Sequence, residues 1–126
     1  MENSVPCPSA LQDQHTLLFV FSPSPQDRTF QIQMDQFEQR RSALLGHDIV
    51  VAEVFEGYQG HIGSDRLPTE GCDGLRQQYH VPSGRFRVML VGKDAHIKMV
   101  ADSCVSFEEI VMRVENEPER TEMSMT

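Results

Sequence analysis

Thiols are few in this sequence and poorly spaced for chemistry. The three cysteines, Cys7, Cys72 and Cys104, are an odd number separated by long intervals, which excludes a disulfide scaffold or a Cys-x-x-Cys pair built from neighbours. The five histidines, His15, His47, His61, His80 and His96, fall singly. None has the three- or four-residue spacing of a helical metal site, so no metal is expected. Positive charge is also short: 11 Lys and Arg stand against 19 Asp and Glu, a net charge of -8. That balance opposes binding to nucleic-acid phosphates or anionic headgroups, so neither nucleic acid nor a membrane is expected as a partner. No basic leader or long apolar stretch precedes Thr16, and no signal peptide or membrane span is read in the chain as it stands. A glycine-rich phosphate loop is missing too, and with no other cofactor motif the expected cofactor is none.

What is present fits one α/β domain. A chain of 126 residues buries about two-thirds of its unfolded surface, enough for a single core. Residues 1–14 read as a polar N-terminal tail, 15–117 as the domain and 118–126 as a polar C-terminal tail. Thr16 to Phe21 (TLLFVF) is an apolar run of strand length that turns through Ser22-Pro23-Ser24-Pro25 into a helix-periodic segment. Between Gln26 and Leu45, Phe30, Met34, Phe37 and Leu44 share one stripe that Arg41 continues, with Ile32 and Leu45 at its edges. Asp27 suits the N-cap and Gly46 the C-terminal stop.

Ile49 to Phe55 (IVVAEVF) is an unalternating strand, expected to be covered on both faces and to pair in parallel with the first. Glu56 to Gly71 is rich in glycine and reads as a loop. A short helix is expected from Asp73 to His80, with Leu75 and Tyr79 facing inward and Pro82 beyond it. Phe86 to Val91 and His96 to Ala101 form a β-hairpin through Gly92-Lys93-Asp94-Ala95, the second strand being an exposed edge. Ala95 replaces the glycine that such a turn favours, at a cost of about 1 kcal/mol if its φ is positive. Ser106 and Glu109 make a capping box for a last helix whose apolar face is Phe107, Ile110, Val111 and Val114, stopped by Pro118.

The order β-α-β-α-β-β-α, a mixed sheet of four strands flanked by helices, resembles a thioredoxin fold. Set against the thioredoxin pattern, TLLFVFSPSPQDR puts Pro25 and Arg28 at the two redox cysteines and Arg85 at the active-site cis-proline. A peroxiredoxin would also need a thiolate at the start of this helix, and no cysteine lies between Cys7 and Cys72.

One family joins this fold to a missing thiol. The sequence resembles the DUF4174 domain, shared by bacterial proteins and by the C-terminal parts of secreted animal sushi-repeat proteins, equarin and related matrix proteins. The resemblance spans roughly Leu17 to Met123. It rests on LLFVFSPSPQDRTFQIQ, on His47-Asp48-Ile49-Val50-Val51, on Val91-Gly92-Lys93-Asp94, and on a motif carried by Pro118, Arg120, Glu122 and Met123. In the family that motif reads Pro-x-Arg-x-x-Glu-Met, one residue longer. The resemblance implies a redox-inactive module for protein interaction, matrix assembly or adhesion, with an unidentified protein partner and an extracellular setting.

Two further hypotheses come from the residues. A thiol oxidoreductase or peroxidase would use Cys104, two residues before the Ser106 cap, or Cys72. An anion site would use Arg28, near the first helix start, with Arg85, on the loop before the third strand.

Overall fold

The computed structural model describes residues 15–115. Its elements are β1 (Thr16–Ser22), α1 (Arg28–Gln39), α2 (Arg41–Gly46), β2 (Ile49–Phe55), β3 (Gly60–Ile62), β4 (Asp65–Leu67), α3 (Thr69–Gln78), β5 (Arg87–Val91), β6 (Ile97–Ala101) and α4 (Phe107–Glu115). They build one mixed sheet in the order β4-β3-β2-β1-β5-β6. Only β1 and β2 run parallel, with Thr16 opposite Ile49 and Ser22 opposite Phe55, and every other neighbour pair is antiparallel.

β1 is the centre of the core because it is apolar on both sides. Leu18 and Val20 face α1, α2 and α4 through Phe30, Phe37, Leu44 and Ile110. Leu17, Phe19 and Phe21 face α3 through Cys72 and Leu75. All five of these β1 side chains are fully buried, worth roughly 1.5–3 kcal/mol each in apolar transfer.

The sheet has six strands where the sequence pattern predicts four. The supposed loop after β2 contains the β3–β4 hairpin, whose three-residue strands are too short to show an alternation although Ile62 and Leu67 are buried. Gly63 at its turn has φ +61, and Gly60 packs so closely on β2 that an added Cβ would lie 1.9 Å from the Glu53 carbonyl oxygen. The helix after it begins at Thr69 rather than Asp73. Its two glycines hide the periodicity, and Gly71 packs against Leu67, whose Cδ1 an added Cβ would meet at 2.7 Å.

The helix expected over 26–45 is two helices, broken at Arg40, where φ is -116° and ψ 22°. Asp27 caps α1, its carboxylate accepting the Phe30 amide at 3.1 Å. Gly46 is the last residue of α2, and the left-handed residue is Asp48, with φ 64°. Asp48 tolerates that conformation as few side chains do, held by Lys93 at 2.9 Å and His15 at 2.8 Å.

The hairpin of β5 and β6 forms as expected, with Ala95 at φ 68° and β6 outermost. Met99 points inward while Ile97 and Val100 are half exposed. The capping box also forms: the Glu109 amide donates to Ser106 Oγ at 3.1 Å and the Ser106 amide to Glu109 Oε1 at 3.3 Å. Cys7 and the motif residues Pro118, Arg120, Glu122 and Met123 lie outside the described residues.

Candidate functional site

In an open sheet with a parallel pair, the strands' carboxyl ends gather loops and a helix start, which is where ligands usually bind. Here three segments meet at that end. The first is the turn leaving β1. Ser22 is fully buried and its hydroxyl donates to the Ser24 carbonyl at 2.9 Å, while the Asp27 amide donates to the same oxygen at 3.2 Å. Pro23 and Pro25 stiffen this turn. The Asp27 carboxylate already takes one of the free amides of α1, so the positive end of the helix carries its negative charge before any ligand arrives.

The second segment follows β2. Glu56 accepts the Gly84 amide at 2.9 Å and the Ser83 hydroxyl. Arg76, on α3, is only 8% exposed and lies 3.5 Å from Glu56. Its Nη2 donates to the carbonyls of Pro82 at 3.1 Å and Val81 at 3.4 Å, and its Nη1 is buried with no hydrogen-bond partner. The Ser83 hydroxyl first, then the Gly84 amide and Arg76, hold the Glu56 carboxyl below its ordinary range. Glu56 and Arg76 thus pin the loop that leads into β5. Sequence reasoning missed both, because one follows an apolar run directly and the other sits in a glycine-containing helix. A cavity of about 460 Å³ opens beside them, lined by Glu56, Asp73, Arg76, Gln77, His80 and Val81.

The third segment is that loop's exit. Arg87 lies opposite Phe21 of β1, so Arg85 reaches the same end of the sheet as Arg28, the first residue of α1. Arg85 is engaged there by Asp102, at 3.5 Å, and Asp102 also holds Arg87 at 2.8 Å. Those contacts, Arg87's hydrogen bond the largest, keep Asp102 below the usual carboxylate range. Arg28 is exposed. The two arginines share a region, but the charge of Arg85 is already answered by a carboxylate of the chain. No peptide bond among the described residues is cis.

The two described thiols are on opposite sides of the sheet. Cys72 is fully buried against the Phe19 side, and burial pushes its thiol up. Cys104 is half-buried, and its Sγ lies 3.5 Å from the carbonyl oxygen of Thr29, in the first turn of α1. Burial pushes this thiol up as well. A thiol donating to a carbonyl is a thiol held protonated, since a thiolate there would face the negative end of the dipole. Among the described residues no group of three His, Cys, Asp or Glu side chains converges as a metal ion would need, and no helix is long and apolar enough to cross a membrane.

Sheet order, crossover and the corner after β1 define a thioredoxin-like fold. The chain is similar in structure to a reduced 2-Cys peroxiredoxin of Plasmodium vivax, with 12% identity and a TM-score of 0.63 over 82% of this chain and 77% of that one. Plasmodium yoelii thioredoxin peroxidase I matches with 14% identity and a TM-score of 0.65 over 86% and 75%, and Mycobacterium tuberculosis AhpC with 10% and 0.61 over 88% and 73%. At such identities the likeness concerns the fold. No curated protein is matched by the sequence. The family is settled by its own profile, which matches residues 8–122: the chain belongs to DUF4174, a domain of unknown function.

Proposed function

We propose that this chain is a redox-inactive member of the thioredoxin-like proteins, serving as a protein-binding module of the matrix or adhesion type. The observation that carries this reading is the occupation of the α1 start. Asp27 supplies the anion there, Pro23 and Pro25 fill the turn, and of the two described thiols the nearer, Cys104, faces the Thr29 carbonyl rather than the helix amides. A peroxidatic or dithiol enzyme lowers its thiol pKa by facing helix amides or cations, whereas burial raises that of Cys72 and of Cys104. The outermost strand β6, with Ile97 and Val100 each about half exposed, offers a partner an apolar strand edge.

A second reading, a thiol peroxidase or oxidoreductase, draws on the peroxiredoxin-like fold and on the proximity of Cys104 to the first turn of α1. One experiment separates the two. Alkylation of Cys104 is followed between pH 6 and 10, alongside turnover of hydrogen peroxide and of insulin disulfides. The expected result is alkylation that rises only above the ordinary thiol range near about 8.5, with no turnover. Peroxide or insulin turnover that Cys104→Ser abolishes would overturn the reading.

A further inference from the structure

On the face of the sheet that carries α1 and α2, a groove of about 360 Å³ runs between those helices and β2, closed at one end by the β3–β4 turn. Its volume lies within the range of small-ligand pockets. The floor is apolar: Met34 and Phe37 from α1, Leu44 from α2, and Ile49 and Val51 from β2. The break at Arg40 ends α1 and starts α2, and residues of both helices line the groove. Gly63 and Ser64 form the far wall.

Two of the groove's three charged side chains are acidic, Glu38 and Glu53, the third being Arg41. Glu53, on β2, points its carboxylate to the wall with only 30% of its side chain exposed. Its ion-pair partner among the described residues is His61 Nδ1, at 3.8 Å, longer than a direct hydrogen bond. Burial pushes the Glu53 carboxyl up, more than the attraction of His61 pulls it down. The groove's cation, Arg41, is paired at 3.2 Å with Glu38 on the outer rim. His61 is not among the groove's lining residues and stands 3.8 Å off, so a ligand that brings a cation into the groove at hydrogen-bond distance would recover more of the cost of desolvating this carboxylate.

We infer that the groove between α1, α2 and β2 binds a small cationic amphiphile, its apolar body on Met34, Leu44 and Val51 and its ammonium or guanidinium group on Glu53. The inference goes beyond the binding-module reading and does not depend on the thiols. A protein that reduced peroxide through Cys104 could still bind such a ligand, and one that did neither would bear out the redox-inactive reading while failing this inference.

Decylamine, decanol and decanoate, all below their micellar concentrations, serve as probes in titrations followed by amide chemical shifts. Decylamine is expected to saturate, with shifts centred on Met34, Leu45, Val51 and Gly63. Its affinity should exceed that of decanol by about tenfold, the ratio a charge-assisted hydrogen bond gives, with decanoate weakest. Glu53→Gln should erase that preference while leaving decanol binding unchanged. Ser64→Trp, on the exposed turn at the mouth, should weaken all three, and its amide spectrum reports whether the fold is kept. Equal affinity for the three probes, an amine preference that survives Glu53→Gln, shifts centred elsewhere, or no saturation at about 1 mM would each overturn the assignment.

Discussion

The side chain of Gln33 pairs with the backbone of Val105 as one strand pairs with another. Its Nε2 donates to the Val105 carbonyl at 2.9 Å and its Oε1 accepts the Val105 amide at 2.7 Å, with Gln33 fully buried. This double bond fixes the segment before α4 to α1 across 72 residues of sequence. It also sets where Cys104, the preceding residue, meets Thr29.

Gln33→Leu keeps the volume and leaves a buried amide and carbonyl without partners. We expect a loss of about 2–4 kcal/mol, read from urea unfolding, since each stranded group costs about 1–3 kcal/mol. A loss below about 1 kcal/mol would mean that the α4 segment re-pairs or hydrates at little cost.

Ala95 holds a positive φ, 68°, that glycine adopts freely. Ala95→Gly should therefore stabilise the protein by roughly 0.5–1 kcal/mol, the relief of left-handed strain less the added freedom of the unfolded chain. The same unfolding measurement checks it, and an unchanged or lower stability would contradict it.

Two glycines should respond with opposite signs. Gly60→Ala drives a methyl into the Glu53 carbonyl and should cost at least about 2 kcal/mol with loss of β2–β3 pairing. Gly74→Ala, helical and with nothing within 4 Å of the added Cβ, should stabilise by about 0.5–1 kcal/mol. Thermal unfolding of both variants decides it, and a shift of the same sign in both would refute the packing argument.

Glu56 gives a pH signature. Its folded-state pKa lies below the ordinary 4.5, so the unfolded chain binds its proton first as pH falls. Its contribution is thus complete above pH 4.5 and disappears as pH drops through the folded-state value. Glu56→Gln should lower the melting temperature and speed exchange of the Gly84 amide at pH 6–7. Both differences from the native chain should vanish in acid, and a difference that persists there would assign the effect to packing instead.

Much of this was legible in the residues because it is local. TLLFVF is apolar at every position after Thr16, so β1 can only lie between two layers, and the parallel pairing with IVVAEVF follows. Asp27, the Ser106–Glu109 box and the strain at Ala95 act within a few residues of themselves, and each appears where the pattern puts it. The break at Arg40 was hidden because the apolar stripe continues across it. The β3–β4 hairpin was hidden because three residues are too few to display a period, and its glycines answer to the backbone of β2 rather than to flexibility.

The sequence by itself determined the class of fold, the family and the missing thiol at the helix start, all of which depend on residue order and local spacing. Only the tertiary structure decided which distant groups share a space: Glu56 with Arg76 and Gly84, Arg85 with Asp102, Cys104 with the Thr29 carbonyl, and Glu53 with an apolar groove. The reason is that hydrogen bonding and desolvation act over a few ångströms, while the residues they join stand tens of positions apart in the chain.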